Sequence, residues 1–136
     1  MLKQIGNYLE NKWSLRLLTG FYFIAGLNHF INPEFYIPLI PAFFENPEKI
    51  NILSGIAEII LAIGVFFYPS RKTASYLIIA MLLAFIPSHV YFIQLGSCIE
   101  IGLCVPEWIG WFRLLIIHPA LLFWAWKSGK SSSVLY

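Results

Sequence analysis

Four stretches of this chain stay apolar for long enough to cross a bilayer, and this restricts the possible folds more than any other feature. Backbone N–H and C=O groups in hydrocarbon have no water to bond, so a spanning segment must satisfy them internally. A core of about 30 Å takes around 20 helical residues. The runs Leu15–Ile31, Ile50–Tyr68, Thr73–Gly96 and Trp108–Lys127 approach or exceed that length, and their apolar residues are continuous rather than alternating. Composition agrees: 59% of the 136 residues are hydrophobic and 12% are charged, against about 25% charged in soluble domains. The expectation is an all-α integral membrane protein of one domain, residues 1–136. A formal charge of +2, with no Gly-rich phosphate loop and no zinc-finger spacing, sets nucleic-acid and nucleotide functions aside.

Basic residues give the orientation. Lys3, Lys12, Arg16, Arg71, Lys72, Lys127 and Lys130 fall at the N-terminus, after the second span or at the C-terminus, and Lys49 is the only basic residue in the other loops. The positive-inside rule then puts both termini in the cytoplasm, and a bacterial inner membrane is the expected location. Leu15–Ile31 starts late for a signal sequence and lacks a small-x-small cleavage site, so it reads as a retained span. Short connections of alternating direction predict a four-transmembrane-helix bundle. Leu2, Ile5, Leu9 and Trp13 recur at helical spacing and predict a separate amphipathic helix on the inner surface. In the outer loop Asn32–Lys49, Pro33, Pro38, Pro41 and Pro47 alternate with Phe35, Tyr36, Phe43 and Phe44. That makes a stiff, aromatic, interfacial segment able to form a lid.

Ionisable residues inside spans are expensive and normally mark function. His29, Glu58, His89 and His118 come one from each span, with Arg113 added on the last. At 1.5 Å per residue, His89 and Arg113 lie roughly 6 Å below the outer surface, His29 about 9 Å, Glu58 about 12 Å and His118 about 14 Å. All five fall in the outer half, above an inner half of Leu, Ile, Ala, Val and Phe, which describes an outward-facing cavity rather than a pore. Ser54, Glu58 and Ala62 share a helical face with Gly55 beside them, and small residues let a neighbouring helix approach the carboxylate. Tyr22, Ala25, Gly26 and His29 form a similar face. Pro87 frees the Leu83 carbonyl and Pro119 that of Leu115. Arg113 and His118 are about 140° apart on a regular helix and meet one ligand only if that helix is distorted.

Three chemistries use such a set. Histidines and a carboxylate can bind a transition metal, although no two of them stand at i, i+3 or i, i+4. A quinone pocket would use His29, His89, His118 and Arg113 on the ring oxygens, Glu58 or a histidine for protons, and Tyr22, Tyr91, Phe85 and Phe92 around the ligand. Alternatively Arg113 neutralises Glu58 and the histidines bridge helices, giving a structural cluster without chemistry. Cys98 and Cys104, both expected outside, can close a disulfide. Structural and redox roles both stand, and the spacing is not that of C-x-x-C oxidoreductases.

The stretches Gly26-Leu-Asn-His-Phe-Ile-Asn-Pro33, Ser54-Gly-Ile-Ala-Glu58, Phe85-Ile-Pro-Ser-His-Val-Tyr91, Trp111-Phe-Arg113 and Trp124-Ala-Trp126 together resemble the DoxX family of small four-span membrane proteins. The resemblance covers about Leu15 to Trp126, with His29, Pro33, Glu58, Pro87 and Arg113 as family-like positions. The Cys98–Cys104 loop is longer than usual, and Ile117-His118 stands where many relatives carry glutamine. The resemblance implies two directions. Some relatives are tied to thiosulfate:quinone oxidoreductase, thiol systems or maturation of disulfide-rich enzymes. Others, including a receptor-assembly chaperone and a cargo receptor, act by binding proteins.

The sequence therefore leads to a redox-linked, quinone-interacting membrane protein with Glu58, His29 and His89 at its chemical centre. Its alternative is an accessory or chaperone-like subunit binding a partner protein or lipid on the outer side. Self-association into a homo-oligomer is compatible with either.

Overall fold

A computed structural model describes residues 2–136, with side chains from Asn11 onward. The chain forms helices α1 (Leu2–Ile31), α2 (Pro33–Tyr36), α3 (Pro47–Phe66), α4 (Tyr68–Gln94) and α5 (Glu107–Gly129), with a 3-10 turn at Ile37–Leu39. Among the described residues no strand forms; Cys98 and Cys104 make one isolated antiparallel bridge. Three helices, α3, α4 and α5, are long and apolar enough to cross a membrane. The first expected span differs from them because Arg16, Asn28 and His29 interrupt its apolar stretch.

The expected separate N-terminal helix is a correction. The helix runs unbroken from Leu2 to Ile31, because no proline or capping pair interrupts it before the first expected span. The apolar face assigned to Leu2, Ile5 and Leu9 lies outside the described side chains. The loop expected at Asn32–Lys49 is also shorter than its sequence implied. Pro33 opens α2 with its ring at the first helical position, where the missing N–H breaks no bond, and Pro47 opens α3 in the same way. The Asn46 side chain accepts from the Lys49 backbone N–H at 3.3 Å, capping α3.

Each long helix turns one face inward and leaves a band of Leu, Ile and Phe exposed, among them Leu17, Ile24, Leu53, Ile60, Leu83 and Leu115. Such a surface is compatible with lipid contact. The most extensive contact is α1 on α3; α3 packs on α4, α4 on α5, and α5 returns to α1, where Trp124 Nε1 donates to Ser14 Oγ at 2.8 Å. Leu15, Leu18, Tyr22, Ala62, Val65, Ala74, Ile78, Leu82 and Ala125 make the apolar core. Backbones come close where side chains are small: a Cβ placed on Gly64 would lie 2.7 Å from the Ala74 Cβ.

At the end of the molecule where α3 meets α4, the sequence places Arg71 as a basic residue of the turn, and the structure buries it. Arg71 is 1% exposed. Its Nε donates to the Val65 carbonyl at 2.8 Å, its Nη2 to the Phe66 carbonyl at 3.2 Å, and its Nη1 to the carbonyls of Ser131 and Ser133. Val65 and Phe66 belong to the last turn of α3, whose carbonyls lack helical partners and carry the negative end of the dipole. One guanidinium thus caps α3 and holds the C-terminal segment, bringing Leu135 into the core. Lysine cannot reach four carbonyls from a single nitrogen. Arg71→Lys is expected to lower unfolding stability by about 3 kcal/mol, the loss of at least two charge-assisted bonds. Denaturation in micelles measures this, and limited proteolysis after Lys127 should accelerate in the variant.

Candidate functional site

The site begins at a helix crossing. A Cβ on Gly26 would lie 2.7 Å from Ile59 Cγ1 and 2.8 Å from the Gly55 carbonyl oxygen; one on Gly55 would lie 2.8 Å from His29 Cβ and 3.0 Å from the Gly26 carbonyl oxygen. No side chain larger than hydrogen fits either position without moving a backbone. Across this contact His29 from α1, which sits opposite Gly55, and Glu58 from α3, which sits opposite Gly26, face each other, Nε2 to Oε2, at 3.8 Å. Both are buried, at 7% and 5% exposure.

Asn51 fixes the histidine. Its Nδ2 donates to the His29 backbone carbonyl at 2.9 Å, which turns its Oδ1 toward His29 Nδ1 at 2.7 Å. Nδ1 therefore carries the hydrogen, and Nε2 is the nitrogen left facing the carboxylate. Tyr36 closes the other side: its ring stacks on His29 with centroids 3.7 Å apart, and its hydroxyl accepts from Asn28 Nδ2 at 2.9 Å.

Opposite this pair, α4 and α5 supply His89 and Arg113. The distortion that the sequence called for is present: Arg113–Ile117 form a π turn, with the His118 backbone N–H donating to the Arg113 carbonyl. An i→i+5 bond places residues five apart nearly above one another, so Arg113 and His118 share a side of α5. The His118 ring meets that of His89 edge-on, centroids 4.8 Å apart. The Arg113 guanidinium lies over the Phe92 ring at 5.4 Å, and its buried Nη1 has no protein acceptor. Glu58 Oε2 likewise has no hydrogen-bond donor. Among the described residues the ion-pair partner of Glu58 is His29, not Arg113 as the structural reading of the sequence supposed.

These groups line one cavity of about 400 Å³. Its polar wall is His29, Asn51, Ser54, Glu58, Ser88, His89 and Arg113; its apolar wall includes Phe35, Tyr36, Leu39, Ile40 and Phe44 from the segment between α1 and α3, with Phe85 and Phe92 from α4. The Pro/aromatic segment does lie over the helix ends as a lid. Among the described residues no three of His, Cys, Asp and Glu converge as metal ligands.

The chain belongs to the family described as Domain of unknown function (DUF8561). The match runs over residues 18–129, so every lining residue of the cavity lies inside the DUF8561 region. No curated protein and no solved structure matches the chain.

Within this DUF8561 chain, His29, Glu58, His89 and Arg113 are brought together as the sequence suggested, and His118 joins them through His89. Tyr22 does not line the cavity but is buried in the apolar core, and Tyr91 is half-buried outside the lining. Cys98 and Cys104 are at bonding distance and close a hairpin, yet neither lines the cavity. That hairpin instead meets the lid: Ile101 and Gly102 share a smaller recess of about 250 Å³ with Asn28, Asn32, Glu34 and Phe35. Sequence reading missed Asn51. Its signal was present, since Asn51, Ser54 and Glu58 stand at i, i+3 and i+7 on one helical face.

Gly55→Ala should separate α1 from α3 and lower stability by about 1–3 kcal/mol. Gly20→Ala, where a Cβ meets nothing within 4 Å, should be neutral or raise it by up to about 1 kcal/mol. Paired thermal unfolding curves in detergent decide both.

Proposed function

We propose that this chain is a four-span integral membrane protein that binds a quinone-type head group in its lidded cavity and manages the protons of a redox-linked reaction there. The observation that carries the reading is the His29–Glu58 pair, oriented by Asn51 in an amphipathic cavity where Arg113 Nη1 and Glu58 Oε2 lack protein partners. Buried polar groups without partners call for an explanation, and a ligand with oxygens at both ends of a ring supplies it. The aromatic and aliphatic wall suits the ring faces and the start of an apolar tail. The DoxX-like motifs favour the same reading, since the residues they share, His29, Glu58 and Arg113, are the ones that meet at this cavity.

Topology enters the proposal in the same way. The exposed Leu, Phe and Ile residues of α1 supply a lipid-facing surface for a fourth span. The Cys98–Cys104 hairpin stands at the cavity end, and disulfides persist outside the cytoplasm. Together with the basic residues gathered at the other end, this orients the cavity outward and both termini inward.

A quinone–quinol couple, when bound, supplies the exchange of two electrons and two protons. The chain's own part is to orient and to hold protons. Arg113 positions one ring oxygen, where His89 beside it in the lining exchanges one proton, His29–Glu58 exchanges the second at the other oxygen, and the lid of Phe35, Tyr36 and Phe44 excludes water. The disulfide lies outside the cavity, so electrons come from or go to a partner protein on the outer side, with the exposed Cys98–Cys104 hairpin as its meeting point.

The test is gentle purification with native lipid, followed by extraction and mass spectrometry. A near-stoichiometric quinone, lost in Glu58→Gln and His29→Leu proteins of unchanged helical content, is the expected result. A preparation that holds no quinone and takes up none would instead favour an accessory subunit binding a partner or lipid.

A further inference from the structure

The cavity is not closed on every side. Phe92, on its wall, is buried, whereas Ala84 and Pro87, which line the same cavity from the same helix, are exposed. With Leu77 and Ala80 these two form an exposed stripe of α4, at i, i+3, i+7 and i+10. A wall that passes from buried to exposed residues of one helix marks the edge of an opening.

Helix geometry gives the direction of that opening and its depth. At about 100° per residue, Ala84 points about 180° away from Ser75 and about 80° away from Ala74. Ser75 packs against Gly129 of α5 and Ala74 against Gly64 of α3, so Ala84 stands on the far side of α4 from α5, on the shoulder next to α3. Ser88, one turn on, and Ser54 of α3 complete a rim of small side chains. Ala84 and Pro87 are ten and seven residues from Gln94, the end of α4, which sets the opening about 10–15 Å along the helix from that end. In a span of about 30 Å this level is hydrocarbon, not water. The end of the cavity is the obstructed side, because Tyr36 stacks on His29 and its hydroxyl is tied to Asn28.

We propose that the cleft between α3 and α4 is a lateral portal, through which the ligand enters the cavity from the bilayer, head group first, and in which its apolar chain remains. The inference rests on the membrane placement and the head-group cavity proposed above, and adds the phase from which the ligand comes. The ligand class is a membrane-dissolved amphiphile with a polar head and an apolar chain. Its head reaches Glu58, His89 and Arg113 on the inner wall, while the chain passes Ala84 and rejoins the lipid against the exposed faces of Leu53 and Leu83. No water-filled path is needed for such a molecule, and the lid can stay shut while it exchanges.

The measurement uses Ser54→Cys as a reporter at the rim, in the full chain reconstituted into phosphatidylcholine vesicles. The two native cysteines are bonded to each other, so the reporter is the free thiol. Modification rates are compared for N-dodecylmaleimide, which partitions into the bilayer, and a charged, water-soluble maleimide. The reporter is expected to react with the dodecyl reagent and to be poorly reached by the charged one. Adding Ala84→Trp should slow the dodecyl reaction about tenfold, the scale of extra bulk forced into a narrow gap. Ala84→Phe, a smaller change, should slow it less, and Leu83→Trp, on the lipid face outside the lining, should leave it unchanged. A reporter that reacts faster with the charged reagent, or with neither, would overturn the portal. So would a dodecyl rate indifferent to both Ala84 variants, or slowed equally by Leu83→Trp. None of these rates involves a quinone, so the portal and the quinone reading fail separately.

Discussion

The contact of α1 and α3 through Gly26 and Gly55 is the constraint on which the cavity depends. Two backbones meet with no side chain between them, and only that approach brings His29 within 3.8 Å of Glu58. A wider crossing would leave a carboxylate alone in a low-dielectric interior, where an unpaired charge is costly. The polar wall is therefore a product of packing by small residues. The lid inherits its position from the same contact, because Tyr36 stacks on the imidazole that the crossing presents.

Polar groups are distributed unevenly between the two ends. At the α3–α4 end, four carbonyls satisfy Arg71, which serves the backbone and leaves no unused nitrogen for a ligand. At the cavity end, Arg113 and Glu58 each keep an unused atom. Both arginines are held largely away from solvent, and both could be taken for liabilities from their position in apolar sequence. Their partners separate them: one closes the fold, the other faces a cavity.

Much of this was legible in the sequence. Length and continuity of apolar runs gave the helices α3, α4 and α5, and the depth of His29, Glu58, His89 and Arg113 brought these residues to one level. The lid was readable from alternating prolines and aromatics. Three things were not. Asn51 lies near the start of α3, where an amide looks like an interfacial residue, and its role depends on the register of α1. Arg71 looked like an inward-facing loop charge because carbonyl partners leave no mark on residue identity. The π turn was foreseen only as a need: five residues between Arg113 and His118 required a distortion, and Pro119 favoured one, but neither specified its form.

The links between helices are of unequal length, and this has a mechanical consequence. Only Phe67 separates α3 from α4, beside the Arg71 cluster, whereas the lid and the disulfide hairpin join helices at the cavity end. The helix pair α3–α4 is thus built like tweezers with its pivot at Arg71. At the other end no link ties α3 to α4, since the Pro33–Pro47 segment leads from α1 to α3 and the disulfide hairpin from α4 to α5, so the walls of the cavity meet there by packing and not through the chain.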